Sequence, residues 1–123
     1  KVEDLPGAWS KKSEKLLGLQ PTSDSEGVLQ DVHWSGGAFG YFPSYCLGNL
    51  LAAQLWEKAL KEDEPDPSDP SKLLSWLQLK VHRQGRRMNL LELTENATGE
   101  SLAPRCLLQY LESRYLSLYR KAN

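Results

Sequence analysis

Apolar side chains recur every three to four residues along most of this 123-residue chain. That spacing places them on one face of an α-helix, so the pattern predicts amphipathic helices. A strand pattern with a period of two does not compete with it. The expected fold class is therefore all-α, with an irregular segment rich in glycine and aromatic residues followed by a bundle of about four to five helices. The predicted helices lie at residues 4–17, 43–62, 70–81, 90–98 and 104–118.

The predicted helices begin and end at residues that favour these positions. Gly18 is placed to close the first helix. Asp69 followed by Pro70 is a favourable N-cap and first-position pair for the third helix. Asn89 and Glu92 have the spacing of a capping box, which starts the fourth helix.

The apolar faces predict where each helix is buried. The second predicted helix is apolar on nearly every face, so we expect it to be central and buried on more than one side. The stretch EDEPDPSDP at residues 62–70 is expected to be a solvated connector. The third helix has a buried stripe at Leu73, Trp76, Leu77 and Val81. The last helix carries apolar residues on one side, at Leu107, Tyr110, Leu111, Tyr115 and Leu118.

One stretch does not follow the helical pattern, QDVHWSGGAFGYFPSY at residues 30–45. Gly36, Gly37 and Gly40 each lower helix stability, and Pro43 stops a helix that arrives from upstream. We predict an irregular segment whose polar side chains contact something, followed by the helix that Pro43 starts.

Composition and charge narrow the functional classes. A net charge of −1 gives no reason to expect a nucleic acid or an anionic membrane as partner. No apolar run approaches the roughly 20 residues that span a bilayer, and the start KVEDLPGAW lacks the apolar part of a signal peptide. We therefore expect a single soluble, cytoplasmic segment over residues 1–123. Cys46 and Cys106 can form a disulfide, but two free thiols in the core are favoured.

The sequence has few of the residues that a metal site or a nucleophilic catalytic site requires. His33 and His82 are the only histidines, and neither has a second ligand at helical spacing, which disfavours a zinc site made by this chain alone. Cys46 with His33 supplies the residue types of a nucleophilic site, as does Ser35 with His33 and Asp31. Neither nucleophile lies in a nucleophile elbow, so this reading is also disfavoured.

A substrate-contacting role remains for the irregular segment. His33, Tyr41 and Tyr45 are donors that can bind a peptide carbonyl or stabilise an oxyanion. From the residues alone, a purely structural role is favoured over this one. In that structural alternative, core is filled by Trp34, Phe39, Tyr41 and Phe42, while buried backbone groups are satisfied by Gln30, Asp31 and His33.

Several motifs, in order, resemble one known family. GVLQDVHW at residues 27–34 resembles the GxxQDxHW motif of the thermostable carboxypeptidase (Taq) family of zinc metallocarboxypeptidases. The continuation SGGAFGYFPSYCLGNLLAAQ is similar to the same family, as are HRQGRR at 82–87 and ATGE at 97–100. The resemblance runs from about Leu5 to Tyr119, and it corresponds to the family's C-terminal portion.

The resemblance implies a cytosolic, mostly helical, often dimeric enzyme that removes C-terminal residues from peptides. Family members bind zinc through the HExxH motif and a downstream glutamate, and these residues are absent from this sequence. The implied zinc therefore belongs to the complete enzyme, whose N-terminal portion is the missing partner. The chain alone is expected to bind no cofactor and to be inactive.

The resemblance also implies roles for individual residues along one side of a substrate cleft. His33 and Tyr45 are the candidate catalytic residues, which hold the substrate backbone and stabilise the tetrahedral oxyanion, with Tyr41 as the competing phenol. Tyr41, Gln30 and Asp31 are the candidate substrate-binding residues. Gln30 and Asp31 are assigned to orient His33, and turn-stabilising hydrogen bonds are the alternative for both. No residue is assigned as a metal ligand.

Two other functions stay open at this point. The chain can be a non-enzymatic helical module that kept the fold for binding or assembly, or an autonomous hydrolase that uses Cys46 or Ser35. A large exposed apolar patch would indicate a missing partner, whereas a compact monomer would favour the independent module.

Overall fold

The computed structural model describes residues 1–63 and 69–120, and these residues form helices without any strand. A π-helical turn, Glu112–Leu116, joins the last two helices. This confirms the all-α class. Residues 64–68 of the predicted acidic connector lie outside the described residues. The α-helices are α1 (Leu5–Leu17), α2 (Pro43–Asp63), α3 (Ser71–Lys80), α4 (Leu90–Thr98), α5 (Arg105–Leu111) and α6 (Ser117–Arg120).

The chain divides into two compact units. The first comprises Lys1–Ser44 and contains α1 and the irregular segment. The second comprises Tyr45–Asn123 and contains nearly all of α2 together with the later helices. That residues 1–123 belong to one catalytic domain stays a prediction. In the described parts of both units, no helix combines the length and apolar character that crossing a membrane requires.

The predicted helix ends are confirmed at α1 and α4. The backbone N–H of Gly18 donates to the carbonyl of Glu14 at 3.0 Å and ends α1. The side chain of Asn89 accepts from the backbone N–H of Glu92 at 3.0 Å, while the Glu92 carboxylate accepts from the backbone N–H of Asn89 at 2.9 Å. This reciprocal pair is the capping box, and Gly99 ends the same helix.

The start of α3 differs from the prediction by one residue. Asp69 accepts a hydrogen bond from the backbone N–H of Ser71 at 3.0 Å, and Ser71 is the first helical residue. That hydrogen bond lowers the pKa of the Asp69 carboxyl below its usual value. Asp69 therefore satisfies a backbone donor at the helix start, as expected, although Pro70 lies before the helix.

The core of the second unit lies where α2, α3 and α4 pack together. Leu55 and Ala59 of α2 contact Trp76 of α3 and Ala97 of α4, and all four are buried. Partly buried residues pack around them. These are Leu51 of α2 and three residues of the predicted α3 stripe, Leu73, Leu77 and Val81. The helical period of α3 therefore identified its buried face correctly.

Gln54 is a buried residue of α2 whose side chain forms hydrogen bonds with the loop between α4 and α5. Its Nε2 donates to the backbone carbonyls of Glu100 at 3.3 Å and Ser101 at 3.1 Å, and to the Thr98 hydroxyl at 3.3 Å. Its Oε1 accepts from the backbone N–H of Ala103 at 3.2 Å. A buried amide with these partners has no unsatisfied polar group and holds the loop in one position.

A charged group connects α2 to α5 beside this loop. The Glu57 carboxylate accepts from Arg105 at 3.2 Å and from Lys61. A hydrogen bond from the Cys106 thiol is the largest cause that lowers the pKa of Glu57 to about 2, followed by those from Lys61 and Arg105. Burial raises the pKa of the Cys106 thiol, and the neighbouring Glu57 charge raises it further. Cys106 is therefore a protonated donor rather than a reactive thiolate.

The two cysteines are free, and they occupy different environments. Cys106 is buried, as expected for a core thiol, whereas Cys46 is exposed. The expectation of a core position is therefore wrong for Cys46, because it lies on a part of α2 that its own unit does not cover.

Two apolar faces that the sequence assigns to the core are exposed in this chain. The first turns of α2 expose Tyr45 and Leu47, and its later residue Leu60 is 40% exposed. The expectation that α2 is buried on more than one side is therefore wrong for its first turns and for Leu60, whereas Gln54, Leu55 and Ala59 in its middle are buried against α3, α4 and the loop after α4. The same holds for the apolar side of the last helix, where Leu111 is 40% and Leu118 65% exposed. Periodicity identifies an apolar face, but it does not supply the surface that covers it.

Candidate functional site

The irregular segment is shaped by short turns that start at Gly27. Val28–Gln30 forms a single 3₁₀ turn, in which the Gln30 N–H donates to the Gly27 carbonyl at 3.0 Å. A Cβ on Gly27 would lie 3.1 Å from the Cβ of Pro21 and 3.2 Å from the carbonyl oxygen of Ser23. Glycine therefore permits a close approach of two chain segments here.

A second 3₁₀ turn, Trp34–Gly36, follows and ends at Gly37. Gly37 has a φ of 74°, in the left-handed region, and its N–H donates to the Trp34 carbonyl at 2.9 Å. The N–H of Ala38 donates to the carbonyl of His33 at 3.0 Å. These turns bring the residues after Gly37 back to His33, which a continuous helix could not do.

Asp31 holds His33 through two hydrogen bonds. One carboxylate oxygen of Asp31 lies 2.7 Å from Nδ1 of His33 and accepts from the backbone N–H of His33 at 3.1 Å. The Asp31 side chain is 9% exposed, and that of His33 is 22% exposed. A carboxylate on Nδ1 selects the tautomer and fixes the plane of the ring. These contacts allow Asp31 to orient His33, and that role stays a prediction.

Two aromatic rings flank the His33 imidazole. The Tyr41 ring lies 5.0 Å from it at an angle of 42°, and the Phe42 ring lies 5.5 Å away, edge to face. Both side chains are slightly more than half exposed. They limit the rotation of His33 while they remain accessible to a ligand. The sequence predicts Phe42 only as a core residue. Its position beside Pro43, at the end of the irregular segment, is the signal for its place beside His33.

A separate aromatic group surrounds Trp34. The Trp9 ring of α1 meets it edge to face at 6.0 Å, and Phe39 stacks on it at 5.8 Å. Phe39 is nevertheless 70% exposed. The structural alternative in which this segment fills core is therefore wrong for Phe39, and also for Tyr41 and Phe42, because their side chains are 51 to 70% exposed.

Gln30 stabilises a turn, and Tyr45 lies on α2. The side-chain amide of Gln30 donates to the backbone carbonyl of Ser25, which is the turn-stabilising alternative. Tyr45 lies in the first turn of α2, at the start of the second unit, and is 53% exposed. Its exposure leaves the phenol accessible, and its predicted contact with an oxyanion stays a prediction.

The alternative nucleophiles have no supporting geometry in the part of the chain that the structure describes. The hydroxyl of Ser35 donates to the carbonyl of Val32 at 2.7 Å, so it forms a local turn bond. Cys46 is exposed on α2. A nucleophile needs a base within hydrogen-bonding reach, and neither residue is shown with one.

The residues do not fit a catalytic metal. Across residues 1–63 and 69–120, no group of three or more histidine, cysteine, aspartate or glutamate side chains is arranged to hold a metal ion. A catalytic zinc site needs three protein ligands. In addition, Nδ1 of His33 already faces Asp31. No step of a reaction is therefore derived through a metal held by these side chains.

Comparisons with known proteins agree with the motifs. The chain matches the family model described as carboxypeptidase Taq (M32) metallopeptidase over residues 1–115. It is 48% identical over 124 residues to Carboxypeptidase 1 of Bacillus subtilis, which covers 96% of this chain and 25% of that protein. It is 45% identical to Thermostable carboxypeptidase 1 of Thermus thermophilus, covering 95% of this chain and 24% of that one.

Solved structures show the same fold. The M32 carboxypeptidase from Deinococcus radiodurans R1 matches with a TM-score of 0.85 and 41% identity, over 96% of this chain and 25% of its own. Metallocarboxypeptidase 1 of Trypanosoma cruzi matches with a TM-score of 0.82 and 41% identity, over 94% of this chain and 26% of its own.

This chain spans about a quarter of the length of the curated relatives it matches. The family match nevertheless extends over almost all of its own residues and includes the turn that holds Asp31 and His33. On these grounds the chain belongs to the carboxypeptidase Taq (M32) metallopeptidase family.

Proposed function

We propose that this chain is the C-terminal, cleft-lining portion of a zinc metallocarboxypeptidase that removes C-terminal residues from peptides. The observation that carries the proposal is the Asp31–His33 pair at 2.7 Å, inside a motif that matches the family and beside two accessible aromatic rings. A partly buried imidazole that is held in one orientation, with an accessible edge, is suited to contact a ligand.

His33 binds the peptide backbone in this proposal. Asp31 fixes the imidazole, so the ring meets a substrate without first losing rotational freedom. Tyr41 and Phe42 provide flat, partly apolar surface at the same place. A peptide has both apolar side chains and backbone hydrogen-bonding groups. The aromatic rings can contact the first, and the imidazole of His33 can bind the second.

Tyr45 is proposed to donate its phenolic proton to the oxyanion that forms when the peptide carbonyl becomes tetrahedral. Its hydroxyl is on the first turn of a long helix, which gives it a rigid base, and its side chain is 53% exposed. A single donor to such an oxyanion contributes roughly 2.7 to 4 kcal/mol to transition-state stabilisation. Tyr41 is the competing phenol.

The metal-binding residues lie outside this chain in this proposal. The isolated chain is therefore inactive. In the complete enzyme these substrate-contacting residues lie opposite an N-terminal portion that binds zinc. The family resemblance also leads us to propose a homodimeric enzyme in the cytoplasm.

The sharpest test replaces Tyr45→Phe in the complete enzyme that contains this chain. We expect kcat to fall about a hundredfold, because one oxyanion donor is lost, with little change in thermal stability. The matched variant Tyr41→Phe should lower kcat by only a few fold. Steady-state kinetics on a short peptide measures both. If the two effects are reversed, Tyr41 is the oxyanion donor, and if neither variant changes kcat, the oxyanion role is wrong.

Two further measurements address the assignment to a larger enzyme. The coding sequence upstream of this chain should encode an HExxH motif. Metal analysis and a peptidase assay on the purified 123 residues should give neither stoichiometric zinc nor cleavage. Zinc bound by these residues, together with unaided hydrolysis of peptides, would overturn the proposal.

A further inference from the structure

The last helical segment is exposed over most of its length. It runs through α5, the π turn Glu112–Leu116 and α6. Cys106 is its only buried residue among those described, and every residue from Leu108 to Tyr119 is exposed. Its large apolar side chains in this stretch are Leu108, Tyr110, Leu111, Tyr115, Leu116, Leu118 and Tyr119, which are 40 to 76% exposed.

The apolar face of this segment requires a partner. Most helices in proteins are stabilised by packing of their apolar face and not by helix propensity alone. In this chain only the first turn of the segment, at Cys106, contacts a buried environment. Seven exposed leucine and tyrosine side chains beyond that turn form an apolar surface of the kind that marks an interaction site.

The π turn narrows this apolar surface to one side. In an uninterrupted α-helix the seven side chains would spread over an arc of about 240°. One extra residue in the π turn rotates the following residues back by about 100°, which moves Leu118 and Tyr119 towards Tyr110 and Leu111. The arc is then about 180°. The guanidinium of Arg114 lies 6.0 Å from the Tyr110 ring at the edge of this face.

The opposite side of the segment is polar and locally satisfied. Gln109 accepts from the Arg105 guanidinium at 3.1 Å, and the Ser113 hydroxyl donates to the Tyr110 carbonyl at 3.0 Å. The segment therefore has one face suited to a partner and one suited to solvent.

The occupant of the apolar face follows from the lengths of the relatives. Solved M32 structures keep this fold over 94 to 96% of this chain, although it makes up only about a quarter of each. A second copy would cover one patch of roughly 800 Å² on each chain. Exposed large apolar residues also occur elsewhere, at Leu16, Leu17, Leu19 and Leu47. A partner about three times as long as this chain can cover several such surfaces, whereas a single two-fold contact cannot.

We propose that the apolar face of the last helical segment docks against the zinc-bearing portion of the complete enzyme, in the same polypeptide, rather than against a second copy. This inference rests on the proposed function, because it requires that larger enzyme. The π turn brings the apolar side chains of the segment onto the side that contacts this partner.

Cysteine labelling tests the docking in the complete enzyme. Leu111→Cys and Tyr115→Cys are placed one at a time on the apolar face, in a Cys46→Ser background that removes the exposed native thiol. Ser113→Cys, on the polar side, is the matched control. We expect the apolar-face cysteines to react with a maleimide at least about tenfold more slowly than the control. In the isolated 123-residue chain all three should react at similar rates.

The outcomes separate the possible occupants. Slow labelling that persists on dilution to a monomeric enzyme supports docking within one polypeptide. Slow labelling that disappears on dilution assigns the face to a second copy and overturns the proposal, as does equal labelling of all three sites in the complete enzyme. Labelling does not depend on turnover, so it can fail while the kinetic test of Tyr45 succeeds, or the reverse. Tyr115→Cys keeps the test decisive if Leu111→Cys does not fold.

Discussion

The two units of this chain are stabilised in different ways. In the second unit, Leu55, Ala59, Trp76 and Ala97 form a buried core, and cap hydrogen bonds define the helix ends. In the first unit only Gly27 and Val28 are buried, and turn hydrogen bonds, the Asp31–His33 pair and ring contacts define the irregular segment. The candidate site residues Asp31, His33 and Tyr41 therefore lie in the unit that has fewer buried residues.

The two units therefore contribute differently to stability and to ligand contact. A buried apolar core stabilises the folded unit, but its side chains are inaccessible to a ligand. A segment shaped by local hydrogen bonds can present imidazole, phenol and aromatic rings outward. We therefore expect substitutions in the second unit to reduce stability, and substitutions around His33 to reduce activity with little effect on stability.

The largest expected effect comes from Trp76→Ala in the core. The substitution leaves a cavity and removes the indole N–H that donates to Glu62 at 2.8 Å, so the free energy of unfolding should fall by about 3 to 5 kcal/mol. Urea denaturation of the chain measures this. Leu79→Ala, on the same helix but at a side chain that is 54% exposed, should cost less than about 1 kcal/mol. Equal costs would mean that the core of the second unit does not dominate its stability.

An intermediate effect is expected from Glu57→Gln, and it depends on pH. The pKa of Glu57 is about 2 in the folded chain, below its ordinary 4.5, because Cys106, Lys61 and Arg105 favour the charged form. A lowered folded pKa adds stability that is fully present above pH 4.5 and is lost as the pH falls towards 2. We expect the substitution to cost about 2 kcal/mol at pH 7, allowing for solvent around a side chain that is 25% exposed.

The pH profile is the check on this prediction. Denaturation of the wild-type and Glu57→Gln chains should show a stability difference that is constant above about pH 5 and shrinks as the pH approaches 2. The exposed Glu95→Gln provides the control at a helix surface. A difference that does not vary with pH would mean that packing, and not the charge of Glu57, stabilises this contact.

The smallest effect on stability is expected from Asp31→Asn. The free energy of unfolding should fall by only about 1 kcal/mol, because the substitution weakens hydrogen bonds within a turn and leaves the core intact. In the complete enzyme kcat/KM should nevertheless fall about tenfold or more, because the carboxylate no longer orients His33. Asp24→Asn, an exposed substitution in the same unit, should leave both quantities unchanged. A loss of stability comparable to that of Trp76→Ala would remove the contrast between the units.

Much of the fold was predictable from particular residues. Gly18, Asn89 with Glu92, and Gly99 end or begin helices through hydrogen bonds within four residues, so their roles follow from neighbours in sequence. The α3 stripe was also correct, because its partners α2 and α4 belong to the same unit.

The candidate site was less predictable. The spacing of Asp31 and His33 allowed their hydrogen bond, but the return of Tyr41 and Phe42 to the imidazole depends on the turn at Gly37. The exposure of Phe39 was missed, because an aromatic residue beside other aromatic residues is more often part of a core.

The sequence by itself determined the helical class, most helix ends and, through its motifs, the family, since these depend on residues within a few positions of one another. The tertiary structure alone decided which apolar faces are covered within this chain, that Gln30 joins a turn, and that two rings flank His33. The physical reason is that burial depends on surface supplied by distant residues. Leu55 receives that surface from α3 and α4, whereas the residues that the structure describes leave Leu111 and Leu118 exposed.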